Sequence, residues 1–181
     1  MKKVAILLAN GFETLEGLTV IDILRRAKVT VDTFSVENNE VETSHKIKIK
    51  ADKNIDDKEI EEYDILVLPG GIPGATTLRD DDRVIKLVKE FNEKGKTICA
   101  ICAAPIVLGK AGITEGLNIT CYPGFEDEIG NVNYKEDLVV IDKNIITGKA
   151  VSAAIPFAFE ILNLVAPEKV DKIKKSMLLN F

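Results

Sequence analysis

At 181 residues the chain reads as one domain spanning 1–181, long enough to bury a hydrophobic core. Its composition, 46% hydrophobic and 29% charged, is that of an ordinary globular protein, and a net charge of −5 gives no electrostatic reason to expect a nucleic-acid partner. No apolar run approaches the roughly 20 residues that span a bilayer, which argues against a membrane partner, and three cysteines without an extracellular framework point to a reducing cytoplasm.

The run from Val4 to Ala9 is continuously apolar and stops at Asn10-Gly11, with acidic residues following at once, so it reads as a first strand and not as a signal peptide. Residues 14–27 carry Leu15, Leu18, Ile21 and Leu24 at helical spacing, and residues 29–36 form a second strand. Residues 41–43 and 46–50 pair as a small hairpin, the lysine–isoleucine alternation of the latter marking it as half exposed. Residues 65–68 are a buried strand ending in Pro69-Gly70-Gly71. Residues 81–94 are amphipathic, with Gly95 placed as the C-cap. A strand over 97–101 and a short helix over 105–110 follow. Strands at 118–121, 138–142 and 145–147, a packed helix over 152–165 and a final helix over 168–176 complete the chain.

Continuous apolar strands between amphipathic helices argue for an α/β fold with a mainly parallel sheet covered on both faces. Sites in such folds lie beyond the carboxyl ends of the strands. Three segments fall there: 10–16, 69–75 and 102–105.

Residues 97–108 place Cys102 at an abrupt turn between strand and helix, among Ala100, Ala103 and Ala104, with Pro105 at an early helical position. This is the layout of a nucleophile elbow with sulfur in place of the serine hydroxyl. A thiol there lies near free N–H groups and the positive end of a helix, both of which favour the thiolate; the plainer alternative is a buried structural thiol. Cys99 and Cys102 also form a Cys-x-x-Cys pair, but an extended strand would set them roughly 10 Å apart, beyond the about 7 Å that a disulfide tolerates. Cys121 reads as a small core residue. Gly70 and Gly71 let the backbone approach a ligand, so that Gly71 N–H and Ala103 N–H could form an oxyanion hole; a tight turn is the alternative. For Glu13 and Glu16, spacing alone favours solvated carboxylates at a helix start. A Glu16 turned toward the cysteine would instead be buried and protonated, able to hydrogen-bond sulfur or act as acid and base. His45, the only histidine, sits among charged hairpin residues and reads as exposed. One histidine and scattered cysteines do not match a metal site.

Taken together, Ala9-Asn-Gly-Phe-Glu-Thr-Leu-Glu16, Asp22-Ile-Leu-Arg-Arg-Ala27, Asp64-Ile-Leu-Val-Leu-Pro-Gly-Gly71, Ala100-Ile-Cys-Ala-Ala-Pro105 and Ile146-Thr-Gly-Lys149 resemble the ThiJ/PfpI superfamily, in the branch of the Parkinson's-disease-associated protein and its bacterial ThiJ-like relatives. The resemblance runs from Val4 to about Val165. It implies a flavodoxin-like α/β sandwich of the class I glutamine amidotransferase-like type, usually a homodimer, with no metal or organic cofactor. It also implies that Cys102 is the reactive residue and Glu16 its hydrogen-bond partner, which reverses the reading from spacing. The Gly-Gly turn falls on Gly70 and Gly71, and the residue after the nucleophile on Ala103. Two departures stand out. Many relatives carry a Thr-x-His-Pro-like stretch near the cysteine; here it is Thr120-Cys-Tyr-Pro123, which puts Tyr122 in the pocket. Tyrosine, with a pKa about 10, is a poor general base. His45 stands where the branch often has an arginine that lies near the cysteine, which makes it a second pocket residue.

Three functions compete. The first is a glyoxalase or protein deglycase acting on reactive carbonyls such as 2-oxoaldehydes or on glycated substrates, with a hemithioacetal at Cys102. The second is an oxidative-stress sensor or redox-regulated chaperone using Cys102 oxidation. The third is a peptidase or amidase, which the missing histidine disfavours.

Overall fold

The computed structural model describes residues 2–179. The strands are β1 (Val4–Leu8), β2 (Val31–Ser35), β3 (Glu40–Glu42), β4 (Lys48–Lys50), β5 (Lys53–Asn54), β6 (Ile65–Leu68), β7 (Thr97–Ile101), β8 (Asn118–Ile119), β9 (Asn133–Tyr134), β10 (Val139–Asp142) and β11 (Ile145–Gly148). The helices are α1 (Thr14–Arg26), α2 (Gly74–Asp80), α3 (Asp82–Glu93), α4 (Pro105–Ala111), α5 (Ala154–Val165) and α6 (Val170–Ser176).

Seven strands form one sheet in the order β10-β11-β7-β6-β1-β2-β5, parallel except where the edge strand β10 runs antiparallel to β11. Strand side chains alternate between two apolar layers. Ala5 and Leu7 of β1, Leu66 and Leu68 of β6, and Ile98 and Ala100 of β7 pack with α2, α3 and α4. Val4, Ile6 and Leu8, Ile65 and Val67, and Cys99 and Ile101 pack with α1, α5 and α6. Both faces are therefore covered, which is why β1, β6 and β7 read as unbroken apolar runs. Five of the six parallel strands, β2-β1-β6-β7-β11, have the flavodoxin-like order, and the switch in strand direction of growth falls between β1 and β6.

Local signals set the helix ends. The Glu13 carboxylate accepts the Leu15 N–H at 3.4 Å to cap α1, and Asp81 accepts the Arg83 N–H at 2.8 Å to cap α3. Gly95 (φ 64°) lies one residue past the Lys94 cap of α3, the left-handed position that glycine fills.

Several expectations shift. The strand expected over 118–121 is only two residues long, and it leaves the main sheet to pair with β9. The helix expected from 152 starts as a 3₁₀ turn over Val151–Ala153. Helix α2 and the two-residue strands β5 and β9 were not foreseen. The hairpin stands as expected, with β3 antiparallel to β4 and Val41 opposite Ile49.

Candidate active site

Three neighbouring strands deliver the site. The segment after β1 leads into α1, the Pro69–Gly71 turn follows β6, and Cys102 follows β7. Cys102 has φ 64°, a left-handed conformation costly for a residue with a side chain. Two backbone bonds hold it there. Its N–H donates to the Gly148 carbonyl at 2.9 Å, and its own carbonyl accepts the Tyr122 N–H at 2.9 Å. The chain then turns directly into α4, with Pro105 as its first residue. The sulfur is consequently raised off the sheet and half-buried, while Cys99 and Cys121 are fully buried. Cys99 lies inside β7, opposite Val67 and Ile146, and all three thiols are free, so the Cys-x-x-Cys spacing forms no dithiol bridge.

Glu16, in the first turn of α1, is completely buried. Its Oε2 accepts the Gly70 N–H at 2.9 Å, and its carboxyl faces Cys102. The spacing-based reading of Glu16 as a solvated carboxylate is thereby overturned: α1 starts beneath the Pro69–Gly71 turn, which closes over its first turn. Gly70 leaves no room for a side chain, since a methyl group would lie 2.6 Å from Glu16 Oε2, 2.7 Å from Cys102 Cβ and 2.8 Å from the Ile101 carbonyl oxygen. Gly71 has φ +87°, and a methyl group there would meet Glu13 N at 2.4 Å. The Gly-Gly pair is thus a requirement of close approach between three strand ends.

Burial is the main force on both groups. It pushes the Glu16 carboxyl up to about 7, against the hydrogen bonds to Cys102 and to Gly70 N–H, and the charge of Glu13 adds to the rise. The Cys102 thiol is pushed up to about 12 by burial first and by the Glu16 charge and hydrogen bond next, while the Ala103 and Gly71 N–H groups pull it down. The expected pull of the elbow N–H groups toward the thiolate is present, and it is opposed by burial and by Glu16. Two N–H groups do face the sulfur, but burial and an ionised Glu16 outweigh them. Cys102 and Glu16 therefore share protons as a pair, and the thiolate gains most when Glu16 holds one.

Tyr122 stands beside Cys102 through the backbone bond above, about half exposed, with its ring edge-on to Phe125 at 6.3 Å between centroids. His45 is exposed, as read from the sequence, and it also reaches the rim. Its Nδ1 is 3.6 Å from Glu13 Oε2. Sequence reasoning missed that Glu13 links this hairpin to the site, because no signal along the chain brings residue 45 to residue 13. Among the described residues, no group of three or more His, Cys, Asp or Glu is placed to hold a metal ion, and no helix is long and apolar enough to cross a membrane.

Comparisons with known proteins identify the family and the fold. The model of the DJ-1/PfpI family matches residues 2–164. Protein dj-1beta of Drosophila melanogaster is 33% identical over 184 residues, covering 99% of this chain and 98% of that protein. Its crystal structure superposes with a TM-score of 0.94 over the whole of both chains. The Parkinson disease protein 7 homolog of Danio rerio is 30% identical, covering 98% of this chain and 97% of its own. A structure described as Toxoplasma gondii DJ-1, oxidized, is 34% identical with a TM-score of 0.92, again over the whole of both chains.

Proposed function

The chain belongs to the DJ-1/PfpI family, and from the pairing of its elbow thiol with a buried carboxyl we propose that it converts reactive 2-oxoaldehydes to hydroxy acids, with Cys102 as nucleophile and Glu16 as acid and base. The observation that carries this reading is the Glu16 carboxyl, fully buried against Cys102 and raised to about 7. A group at that value holds and releases a proton equally well near neutral pH, as a shuttle must.

With methylglyoxal the steps balance without a cofactor. The Cys102 sulfur bonds to the aldehyde carbon, and its proton goes to the aldehyde oxygen, giving a hemithioacetal. Gly71 and Ala103 N–H groups, already facing the sulfur, stabilise the negative charge that develops on that oxygen. Glu16 takes the proton from the former aldehyde carbon and returns it to the neighbouring carbon, while the proton of the hemithioacetal hydroxyl passes to the ketone oxygen, so that the first carbon becomes the carbonyl of a thioester and the second carries the hydroxyl. The resulting thioester is hydrolysed by water to lactate and free Cys102. Glycated side chains, which carry the same carbonyl-derived adduct, are the wider substrate class of this scheme. The test is lactate formation from methylglyoxal over many turnovers per chain; consumption that stops at one equivalent per thiol would sink the proposal.

A second reading, a redox sensor, draws support from the relative described as oxidized and from the contrast in burial among the three thiols. Oxidation of Cys102 to sulfenic and sulfinic acid would place new oxygens against the Gly71 and Ala103 N–H groups. Because Cys99 and Cys121 are fully buried and Cys102 is partly exposed, low peroxide should add oxygen to Cys102 first. Mass spectrometry of partially oxidised protein reads this directly, and equal oxidation of the three thiols would remove the sensor reading.

The same proposal includes a cytoplasmic homodimer. Leu15 on α1, Ile47 in the hairpin and Ile72 after the Gly-Gly turn are each about half exposed, apolar surface of the kind that a second copy covers. Light scattering at micromolar concentration should return twice the chain mass, and a monomer mass would rule the dimer out.

A further inference from the structure

We propose that Tyr122 is the specificity-determining residue of the site and selects 2-oxoaldehydes that carry an aromatic or bulky apolar group on the ketone carbon. The inference deepens the proposed function and rests on it. The segment that carries Tyr122 is fixed to the two strands beneath the elbow. Thr120 N–H donates to the Thr147 hydroxyl of β11 at 3.0 Å, and Tyr122 N–H donates to the Cys102 carbonyl at 2.9 Å. Two such bonds, two residues apart and toward neighbouring strands, mark an extended run whose side chains alternate. Leu117, Ile119 and Cys121 enter the apolar layer of α2, α3 and α4, so Tyr122 turns away from it. Cys102 packs against the opposite layer. The ring and the sulfur thus leave the sheet on the same side, their backbones joined by one hydrogen bond.

The surroundings of the ring suit an uncharged, apolar group. Phe125 N–H donates to the Tyr122 carbonyl at 3.3 Å, a turn that sets the Phe125 ring edge-on to Tyr122. The Gly148 carbonyl that holds the Cys102 N–H lies next to Lys149, whose own N–H donates to the Leu138 carbonyl at 2.9 Å. Leu138, and Val151 two residues past Lys149, add exposed apolar side chains at this end of the sheet. The Lys149 ammonium is paired with Glu136, and the Glu126 carboxylate accepts the Gly124 N–H at 2.7 Å. None of these residues belongs to the Leu15, Ile47 and Ile72 surface. Glu16, Gly70 and Gly71 close the inner side of the sulfur, which leaves the outer side, that of Tyr122, to the group on the ketone carbon. A methyl group there covers little of a ring that is 49% exposed. A phenyl group covers a large part of it and gains an aromatic pair.

The test compares initial rates of mandelate formation from phenylglyoxal with those of lactate formation from methylglyoxal, in the wild type, Tyr122→Phe, Tyr122→Leu and Tyr122→Ala. The readout is the ratio of the two kcat/KM values, because the intrinsic reactivity of each aldehyde cancels when variants are compared. Tyr122→Ala should lower the ratio by about 3- to 10-fold, the size of one aromatic pair. Tyr122→Leu should fall between, and Tyr122→Phe should keep the wild-type ratio. The loss should appear in KM for phenylglyoxal more than in kcat, since the ring holds the substituent equally before and during proton transfer. A ring that only supports the elbow would slow both aldehydes together, and a ratio left unchanged in Tyr122→Leu and Tyr122→Ala would overturn the inference. A ratio already lost in Tyr122→Phe would do the same, because the hydroxyl and not the ring face would then be the recognising group. Turnover of neither aldehyde by the wild type would instead reject the 2-oxoaldehyde reading, and this selectivity with it.

Discussion

Replacing Cys102 by serine is expected to reduce lactate formation from methylglyoxal by on the order of 10³-fold or more while leaving the fold in place. The substitution exchanges one atom at an elbow whose geometry is set by backbone bonds from Cys102 N–H to Gly148 and from Tyr122 N–H to the Cys102 carbonyl, neither of which involves the sulfur. The Ala103 and Gly71 N–H groups remain aimed at the same point. What is lost is the nucleophile. A serine hydroxyl is a far weaker nucleophile and far harder to deprotonate than a thiol, and the neighbouring carboxyl of Glu16, at about 7, is too weak a base to generate an alkoxide. Cys99 and Cys121 stay in the variant but are fully buried, so scavenging by the exposed thiol is separated from catalysis by the number of turnovers per chain. Assays at equal protein concentration, run well past one turnover, separate the outcomes. Multiple turnovers in Cys102→Ser would remove Cys102 from the chemistry, and absence of turnover in both proteins would leave the sensor reading to be tested by peroxide.

Much of this architecture is legible in the sequence where burial is complete. Strands β1, β6 and β7 are apolar at every position because both faces of the sheet are covered, and their limits lie within a residue of those expected. Helix α2 escaped notice because Gly74-Ala-Thr-Thr-Leu-Arg-Asp80 has little helical periodicity and two β-branched threonines. Its start is fixed by tertiary structure instead, through Ala75 N–H donating to the Gly71 carbonyl at 2.8 Å. Strands β5 and β9 are two residues each and exist only through their neighbours. At the site, the elbow around Cys102 was readable from small residues and Pro105. Glu16 was not: its burial depends on Gly70 approaching within contact of Glu16 and Cys102 together, and only the family resemblance pointed to it. The net effect of that burial on the thiol ran opposite to the expectation from N–H groups alone, because a fully buried carboxyl beside the sulfur cannot be weighed until its surroundings are known.

That carboxyl makes the remaining prediction a joint one on activity and stability. Glu16→Gln is expected to lower kcat by roughly 10²- to 10⁴-fold, the usual contribution of a positioned acid–base group, while alkylation of Cys102 continues. Glutamine keeps an oxygen for the Gly70 N–H but cannot carry a proton between carbons. Its effect on stability has the opposite sign and depends on pH. The folded-state value of Glu16 is raised to about 7 from its ordinary 4.5. Below 4.5 the carboxyl is protonated in both states and burial carries no charge penalty. As pH rises from 4.5 to 7 the unfolded chain releases the proton and the folded chain retains it, so wild-type stability falls. Above 7 the penalty is constant, at about 3 kcal/mol. Glutamine has no such dependence. The variant should therefore gain up to about 3 kcal/mol relative to wild type between pH 5 and pH 8, whatever constant cost its buried amide adds. Urea unfolding at the two pH values measures this gain, and staying below pH 8.5 keeps the Cys102 thiol out of the comparison. Retained turnover would exclude Glu16 as the proton carrier. A wild type and variant with parallel pH dependence would mean that Glu16 ionises in the folded protein as it does in water, and the buried pair on which the mechanism depends would not exist.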